Sequence, residues 1–292
     1  MHISKKIFEK VVSTQGAFVE KLSKISAEKT ARDFLSFEKP KEQIEIIRKY
    51  YPNLEGKRLL EIGSGLGVFN LVSRTVFGID AWGVEPGGEG YGGSLKISHD
   101  ILEENNLSAD HILDAKGEHL PFENSSFDIV FSTTVLEHVE SPETVISEAI
   151  RVCKKGGIIQ IAVPSYGSFF DGHYACFYLP YQPKWLWKIY LKYVLHRPVH
   201  FVNELRTEIN YFSVRRWVKP HEASGTVSIL SMGDEIFRER MRTADFSDWA
   251  GLGKVKTAVN ILRALRISSL VAWLLSTCKA FTPIILTMRK NT

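Results

Sequence analysis

Apolar and polar positions alternate at helical spacing through residues 4–50, in SKKIFEKVV and then KPKEQIEIIRKYY, which predicts polar amphipathic helices. Pro52, Asn53 and Gly56 end that pattern. Between Lys57 and Pro164 the texture changes to short apolar runs: RLLEIG (58–63), AWGVEP (81–86), HILDA (111–115), FDIVFS (127–132) and GIIQIAVP (157–164). The spacers are long enough for helices, and near-continuous apolar strands are those buried on both faces. After Pro164 comes an aromatic, basic stretch (166–212), then a helical segment, FSVRRWVKPHEASG, with Gly225 near its end. TVSILSM (226–232) reads as a sixth strand, 235–278 as helical and TPIILTMRK (282–290) as a last strand. The expected fold is α/β: a seven-stranded, mostly parallel sheet with helices on both faces. Residues 1–50 form an N-terminal helical cap. The core comprises 51–165 and 213–292, with 166–212 inserted as a substrate lid after the fifth strand. A two-domain chain divided near residue 165 is the competing reading. No internal repeat is visible.

The chain has 292 residues, 44% hydrophobic and 24% charged, which excludes a largely disordered protein and permits a sizeable core. The net charge of +4 is too small and dispersed to argue for nucleic acid. Cys153, Cys176 and Cys278 form no CxxC pair, so neither a disulfide framework nor a zinc site is expected, and a reducing, cytoplasmic setting fits. The first turns, MHISKKIFEKVV, are charged and lack the apolar stretch of a signal peptide. Ile267–Cys278 and Ala280–Met288 are uncharged. Lys279 separates them and Pro283 interrupts the second, so each falls short of the ~18 residues of a spanning helix. Peripheral membrane contact stays open; oligomeric state is not indicated.

Chemistry first shows in Glu61-Ile62-Gly63-Ser64-Gly65-Leu66-Gly67, between a predicted strand and a predicted helix. Glycines permit the tight turn and a close approach of ligand to backbone. Free N–H groups at the helix start would attract a carboxylate or phosphate. The spacing is GxGxG, with Val68 where a dinucleotide loop needs its third glycine, and no GK[ST] follows. Glu61 would repel a pyrophosphate and favour an ammonium group. Glu85, at the end of the second strand, is placed to accept ribose hydroxyls.

ExGxGxG, Glu85 and the segment GEHLPFENSSFDIVFSTTVLEHVESPETVISEAIRVCKKGG together resemble class I S-adenosylmethionine-dependent methyltransferases, in particular the type 11 group with LPF…FD.V…LEHV. The resemblance covers residues 57–164 well and 213–232 and 282–290 weakly, and it implies a Rossmann-like sheet. By that resemblance Gly63, Ser64, Gly65 and Gly67 line the methionine and ribose, Glu61 faces the amino group and Glu85 takes the ribose hydroxyls. Gly117, Glu118 and His119 lie along the adenine, and Ser132 and Thr133 complete the methionine pocket. One departure is Lys116, where the family has the acid that meets the adenine amino group; Asp114 lies two residues further back. The implied reaction is in-line methyl transfer, in which alignment supplies much of the rate and a hydroxyl acceptor also needs a base.

Candidate bases are His138, in LEHV, and His173, in FDGHY just past the fifth strand. Each also has a plain structural reading, as a helix-orienting pair with Glu137 or as a buried, hydrogen-bonded histidine. Some relatives build a magnesium site with an acid three residues before the Glu-His pair. Thr134 stands there, so no metal is expected. The aromatic density of 166–193 fits a lid core, a stacking surface for a ring substrate, or a membrane-surface contact with Lys184, Lys188 and Lys192 on one face and Trp185 and Trp187 nearby. STTV after the fourth strand is not [DN]PPY and no Pro-Cys pair occurs, so nucleic-acid bases are not expected acceptors. Two classes remain: a methyltransferase, O-directed, acting on a small molecule or a glycan- or lipid-linked intermediate, or a cofactor-binding scaffold without transfer.

Overall fold

The computed structural model describes residues 1–88, 93–245 and 253–292. Four short helices open the chain: α1 (Lys5–Val11), α2 (Ala17–Ser23), α3 (Ala27–Phe34) and α4 (Glu38–Arg48). Ser4 and Ser26 start α1 and α3 by accepting the N–H groups of Ile7 and Lys29. Strands then alternate with helices: β1 (Arg58–Ile62), α5 (Val68–Val76), β2 (Asp80–Val84), α6 (Ser94–Glu104), β3 (Ile112–Leu113), β4 (Phe127–Thr133), α7 (Pro142–Val152) and β5 (Cys153–Val163). The segment after β5 holds a small hairpin, β6 (Phe170–Asp171) and β7 (Cys176–Phe177), and the helix α8 (Lys184–Ile189). Then follow α9 (Tyr211–Ala223), β8 (Val227–Ser231), α10 (Asp234–Thr243), α11 (Gly253–Ala264), α12 (Ser268–Thr277) and β9 (Ile284–Lys290). The helical reading of 235–278 thus resolves into three helices; its residues 246–252 lie outside the described ones.

Seven strands form one sheet in the order β3-β2-β1-β4-β5-β9-β8. The first five are parallel, and β9 runs antiparallel to both β5 and β8. Alternate residues of one strand serve opposite faces: Leu60 and Ile62 pack with Val145, Ile146 and Ala149 of α7, whereas Leu59 packs with Leu71 and Val72 of α5 and Ile44 and Ile47 of α4. The expected seven-stranded α/β fold is therefore present, with helices on both faces. β5 begins four residues before the expected Gly157 because Cys153 pairs with Phe127 ahead of an irregularity between Phe127 and Ile129. β3 is reduced to two residues at the sheet edge.

One reversal of strand order sets the site. β1 lies between β2 and β4, so the loop after β1 and the turn after β4 meet at the carboxyl ends of adjacent strands. Ligands of open α/β sheets bind at such a reversal of strand order.

Candidate functional site

The loop after β1 is held from beneath. Gly63 and Ser64 donate N–H bonds to Val84 O at 2.9 and 3.0 Å, Gly67 donates to Ser64 O at 2.8 Å, and Gly65 donates to Glu85 Oε2 at 2.9 Å. These N–H groups are used inside the protein. The loop is accordingly less of an anion cradle than its position before a helix suggests, and its work is conformational. Gly63, Gly65 and Gly67 have φ of +78°, +50° and +74°. A Cβ on Gly63 would overlap Val135 Cγ2, whereas a Cβ on Gly65 would meet nothing within 4 Å. Gly63 is required by packing and Gly65 borders open space. Gly63→Ala is expected to cost roughly 2–4 kcal/mol from the left-handed backbone plus overpacking, and Gly65→Ala only the roughly 1–2 kcal/mol of the backbone. Urea unfolding of both variants measures the difference; equal losses would show that Val135 does not confine the loop.

Glu61 and Glu85 are both buried. Burial pushes the Glu61 carboxyl well above its ordinary range; Ser64 opposes this and Glu85 adds to it. Burial also raises Glu85, against the N–H of Gly65. Glu61 Oε2 is buried without a hydrogen-bond partner among the described residues. A buried, unpartnered carboxylate beside a second acid suits a cationic group. The Ser64 side chain is buried toward Gly83, and its N–H and carbonyl are both bonded within the protein. Ser132 is buried too and donates from Oγ to Ile62 O at 3.0 Å, tying β4 to β1; Thr133 is half-buried beside it.

Of the adenine-side candidates, Gly117 packs on Ile62 at the end of β1, and His119 is exposed. Glu118 Oε1 accepts N–H bonds from Glu140 and Ser141 at 2.9 and 3.4 Å, ahead of α7. Lys116 pairs with Glu140 at 3.2 Å on the surface, and Asp114 accepts from Gly87 N at 2.7 Å. The acid further back is thereby turned to the loop after β2.

His138 and His173 come together from different elements. His138 follows β4, its N–H bonded to Val135 O at 2.8 Å, and His173 sits in the turn between β6 and β7. Their rings meet edge to face at 5.3 Å between centroids, and Phe201 lies 5.9 and 5.7 Å from them. Glu137, fully buried, places Oε1 3.9 Å from Nε2 of both histidines. On the other side of His173, Nδ1 is 3.5 Å from Asp171 Oδ2 and 3.5 Å from the Tyr166 hydroxyl. Burial raises Glu137 to about 7, partly offset by His173, and drives His138 down to about 3, helped by the positive charge of His173. Burial alone would lower His173 as well, but Asp171, by hydrogen bond and charge, and Glu137 reverse this, so its pKa is raised. The two histidines are thus driven apart: one stays neutral and the other is a stronger base than ordinary imidazole.

Glu137, Asp171, Tyr166 and Phe201 are members of this cluster that the sequence reading did not place among the site residues. Adjacency of Glu137 to His138, and of Asp171 two positions before His173, was the available signal; Tyr166 and Phe201 carry none. Glu137, His138 and His173 each offer a ligand atom within 4.8 Å of one another, so a cation is within their geometric reach. Thr134, the position on which the expectation of no metal rested, is exposed, has φ +54° and belongs to no such group among the described residues.

The cap and the inserted segment touch this cluster. Phe18 of α2 meets Phe201 edge-on at 5.1 Å. Arg206 donates from its backbone to Glu137 O at 3.0 Å and from Nε to Val139 O at 2.7 Å. Trp187 is fully buried among Tyr166, Tyr174 and Tyr178, so it belongs to the core of the inserted segment and offers nothing to an outer surface; Trp185 is 63% exposed.

Residues 60–161 match the family model for a methyltransferase domain. The chain is 33% identical over 134 residues to an uncharacterized protein of Methanocaldococcus jannaschii, covering 46% of this chain and 56% of that one. It is 30% identical over 118 residues to an uncharacterized methyltransferase of Mycolicibacterium vanbaalenii, covering 40% of this chain and 43% of that one. The chain thus spans about half the length of the curated relatives it matches. In structure it is similar to phosphoethanolamine N-methyltransferase 2 of Haemonchus contortus in complex with S-adenosyl-L-methionine, with a TM-score of 0.51 and 17% identity over 86% of this chain and 53% of that one. Residues 60–161 thus match the methyltransferase domain family, within a chain that carries the Rossmann-like α/β fold of such a methyltransferase.

Proposed function

We propose that the protein is an S-adenosylmethionine-dependent methyltransferase whose acceptor presents a hydroxyl, on a small molecule or a glycan- or lipid-linked intermediate, and that His173 is the base. The observation that carries this reading is the polarised histidine, with Asp171 and Tyr166 at Nδ1 and Glu137 at Nε2, at the same sheet end as the glycine loop. The cofactor supplies an activated methyl group on a sulfonium. Glu85, already oriented by the N–H of Gly65, would take the ribose hydroxyls, and the carboxylate of Glu61 the ammonium group. Gly65 leaves its Cβ direction open for the ligand.

What the chain itself does is align and cover. The turn 134–138 joins the glycine loop, through Val135, to the histidines, so methyl donor and base are registered by one rigid segment. Phe201 and the cap residue Phe18 shield the histidines from water. The acceptor proton goes to His173, and Asp171 stabilises the imidazolium that forms. The reading is tested by incubating the chain with labelled S-adenosylmethionine and cell extract. Labelled product supports transfer, whereas binding without product indicates the scaffold.

Selectivity follows from the loop. Without a third glycine at Val68, and with buried Glu61 beside the loop, thermal shifts are expected with S-adenosylmethionine and S-adenosylhomocysteine and absent with NAD or NADP. An equal shift with NAD would overturn the assignment of the loop.

A further inference from the structure

Large apolar side chains exposed to solvent are unevenly distributed. Among the described residues, fifteen of nineteen fall in two stretches, nine between Phe169 and Phe212 and six between Ile261 and Leu274. Seven of the nine in the first stretch lie in a run of sequence without a single acid, 172–203, and all six of the second lie in another, 249–292.

The second stretch is the hairpin of α11 and α12. Its inner side packs Val259 and Ala272 against Met241 and Ala244. Its outer side carries Ile261, Leu265, Ile267, Leu270, Trp273 and Leu274, all exposed, with Trp273 at 52%. Lys256, Arg263 and Arg266 are exposed beside them, and none is in an ion pair among the described residues. Among the described residues no single helix is long and apolar enough to cross a membrane, and the two helices are bent by 120° where they join. An apolar face with a tryptophan, on a pair of helices whose own charged residues are all cations, is the composition of an element that lies in a membrane interface and does not span it.

The hairpin is also anchored at the carboxyl end of the sheet. β8 runs parallel to β5, because both are antiparallel to β9, and the path leaving Ser231 returns at Ile284, opposite Val163. Ser165 N donates to Thr282 Oγ1 at 3.0 Å, and Lys279 Nζ lies 4.7 Å over the Tyr211 ring, tying the hairpin's return to the segment that carries His173. The first stretch, with exposed Trp185, Tyr193 and Lys192, leaves from that same sheet end.

We propose that the outer face of the α11–α12 hairpin is a docking surface for an anionic lipid bilayer. The charge pattern selects this occupant: cations without acids complement anionic headgroups, and the apolar side chains enter the acyl boundary. The inference deepens the methyltransferase reading by placing its acceptor at a membrane, and only that placement rests on it; docking itself does not.

The test is sedimentation of the full chain with vesicles of phosphatidylcholine, with and without phosphatidylglycerol. Binding is expected to the anionic vesicles, at least tenfold stronger than to the neutral ones and weakened by salt. Leu270→Glu with Trp273→Glu should abolish it. Arg263→Gln with Arg266→Gln, at exposed positions that leave the apolar side chains in place, should weaken it roughly thirtyfold. S-adenosylmethionine affinity, titrated on the same variants, should not change, which keeps a failure of docking distinct from a failure of the methyltransferase reading. Equal binding to both vesicle types, or unchanged binding by both variants, would overturn the proposal. So would a dimer that the Glu variants dissociate, with no vesicle binding by the parent, because the face would then belong to a second copy.

Discussion

His173→Ala should reduce turnover of a hydroxyl acceptor about 10²–10⁴-fold while leaving S-adenosylmethionine affinity nearly unchanged. The loss should shrink at high pH, where the acceptor ionises unaided. His173 is the stronger base of the two histidines because Asp171 and Glu137 stabilise its protonated form. His138, driven to about 3, is neutral at any working pH and too weak a base to compete. His138→Ala should therefore act mainly through packing, with a lowered melting temperature and a smaller loss of turnover per folded molecule. The sign of the pH dependence follows. His173 must be neutral to accept a proton, and its pKa is raised, so kcat/KM should climb with pH along a limb above the ~6.5 of an ordinary histidine. Asp171→Asn removes the charge behind Nδ1 and should move that limb down. A limb that stays in place in Asp171→Asn, or full activity in His173→Ala, would leave alignment alone as the catalytic device.

The sheet was legible in the sequence because its strands are apolar almost throughout, and burial on both faces leaves that mark whatever the tertiary detail. Loop residues were legible by type, less so by what they touch. Gly63 and Gly65 look alike in GxGxG, yet one is confined by Val135 and the other borders open space. Glu118 reads as an adenine-side acid in GEHL, but its carboxylate meets backbone N–H groups ahead of α7. The histidine cluster was half legible. Both histidines stand out beside acids, but their meeting depends on how the chain folds back after β5, and that return has no periodic signal. Tyr166 and Phe201, 35 residues apart, enter the site only through that path. The outer face of α11–α12 was hidden for another reason. Ile267–Cys278 is apolar whether buried or not, and only the three-dimensional packing shows that Leu270, Trp273 and Leu274 face outward.

Glu85→Ala should lower S-adenosylmethionine affinity at least tenfold by calorimetry. Two charge-assisted hydrogen bonds to the ribose would be lost, each worth roughly 1.5–3 kcal/mol, and the N–H of Gly65 would lose its acceptor. The second effect separates direct from indirect action. Glu85 fixes a loop residue at φ +50°, so part of the loss could come from a loosened turn. Glu85→Gln keeps an acceptor for Gly65 and removes the charge. It should retain the melting temperature and still bind the cofactor more weakly than the parent, because an amide accepts from hydroxyls less strongly than a carboxylate. The pH dependence points the same way. Burial raises the pKa of both Glu85 and Glu61, and each must be ionised to hold its part of the ligand. Affinity should therefore fall as pH drops through those raised values, and binding should release protons, visible as a heat that varies with buffer ionisation enthalpy. Unchanged affinity in Glu85→Ala would remove the ribose assignment, and pH-independent affinity would show that neither acid faces the ligand as an anion.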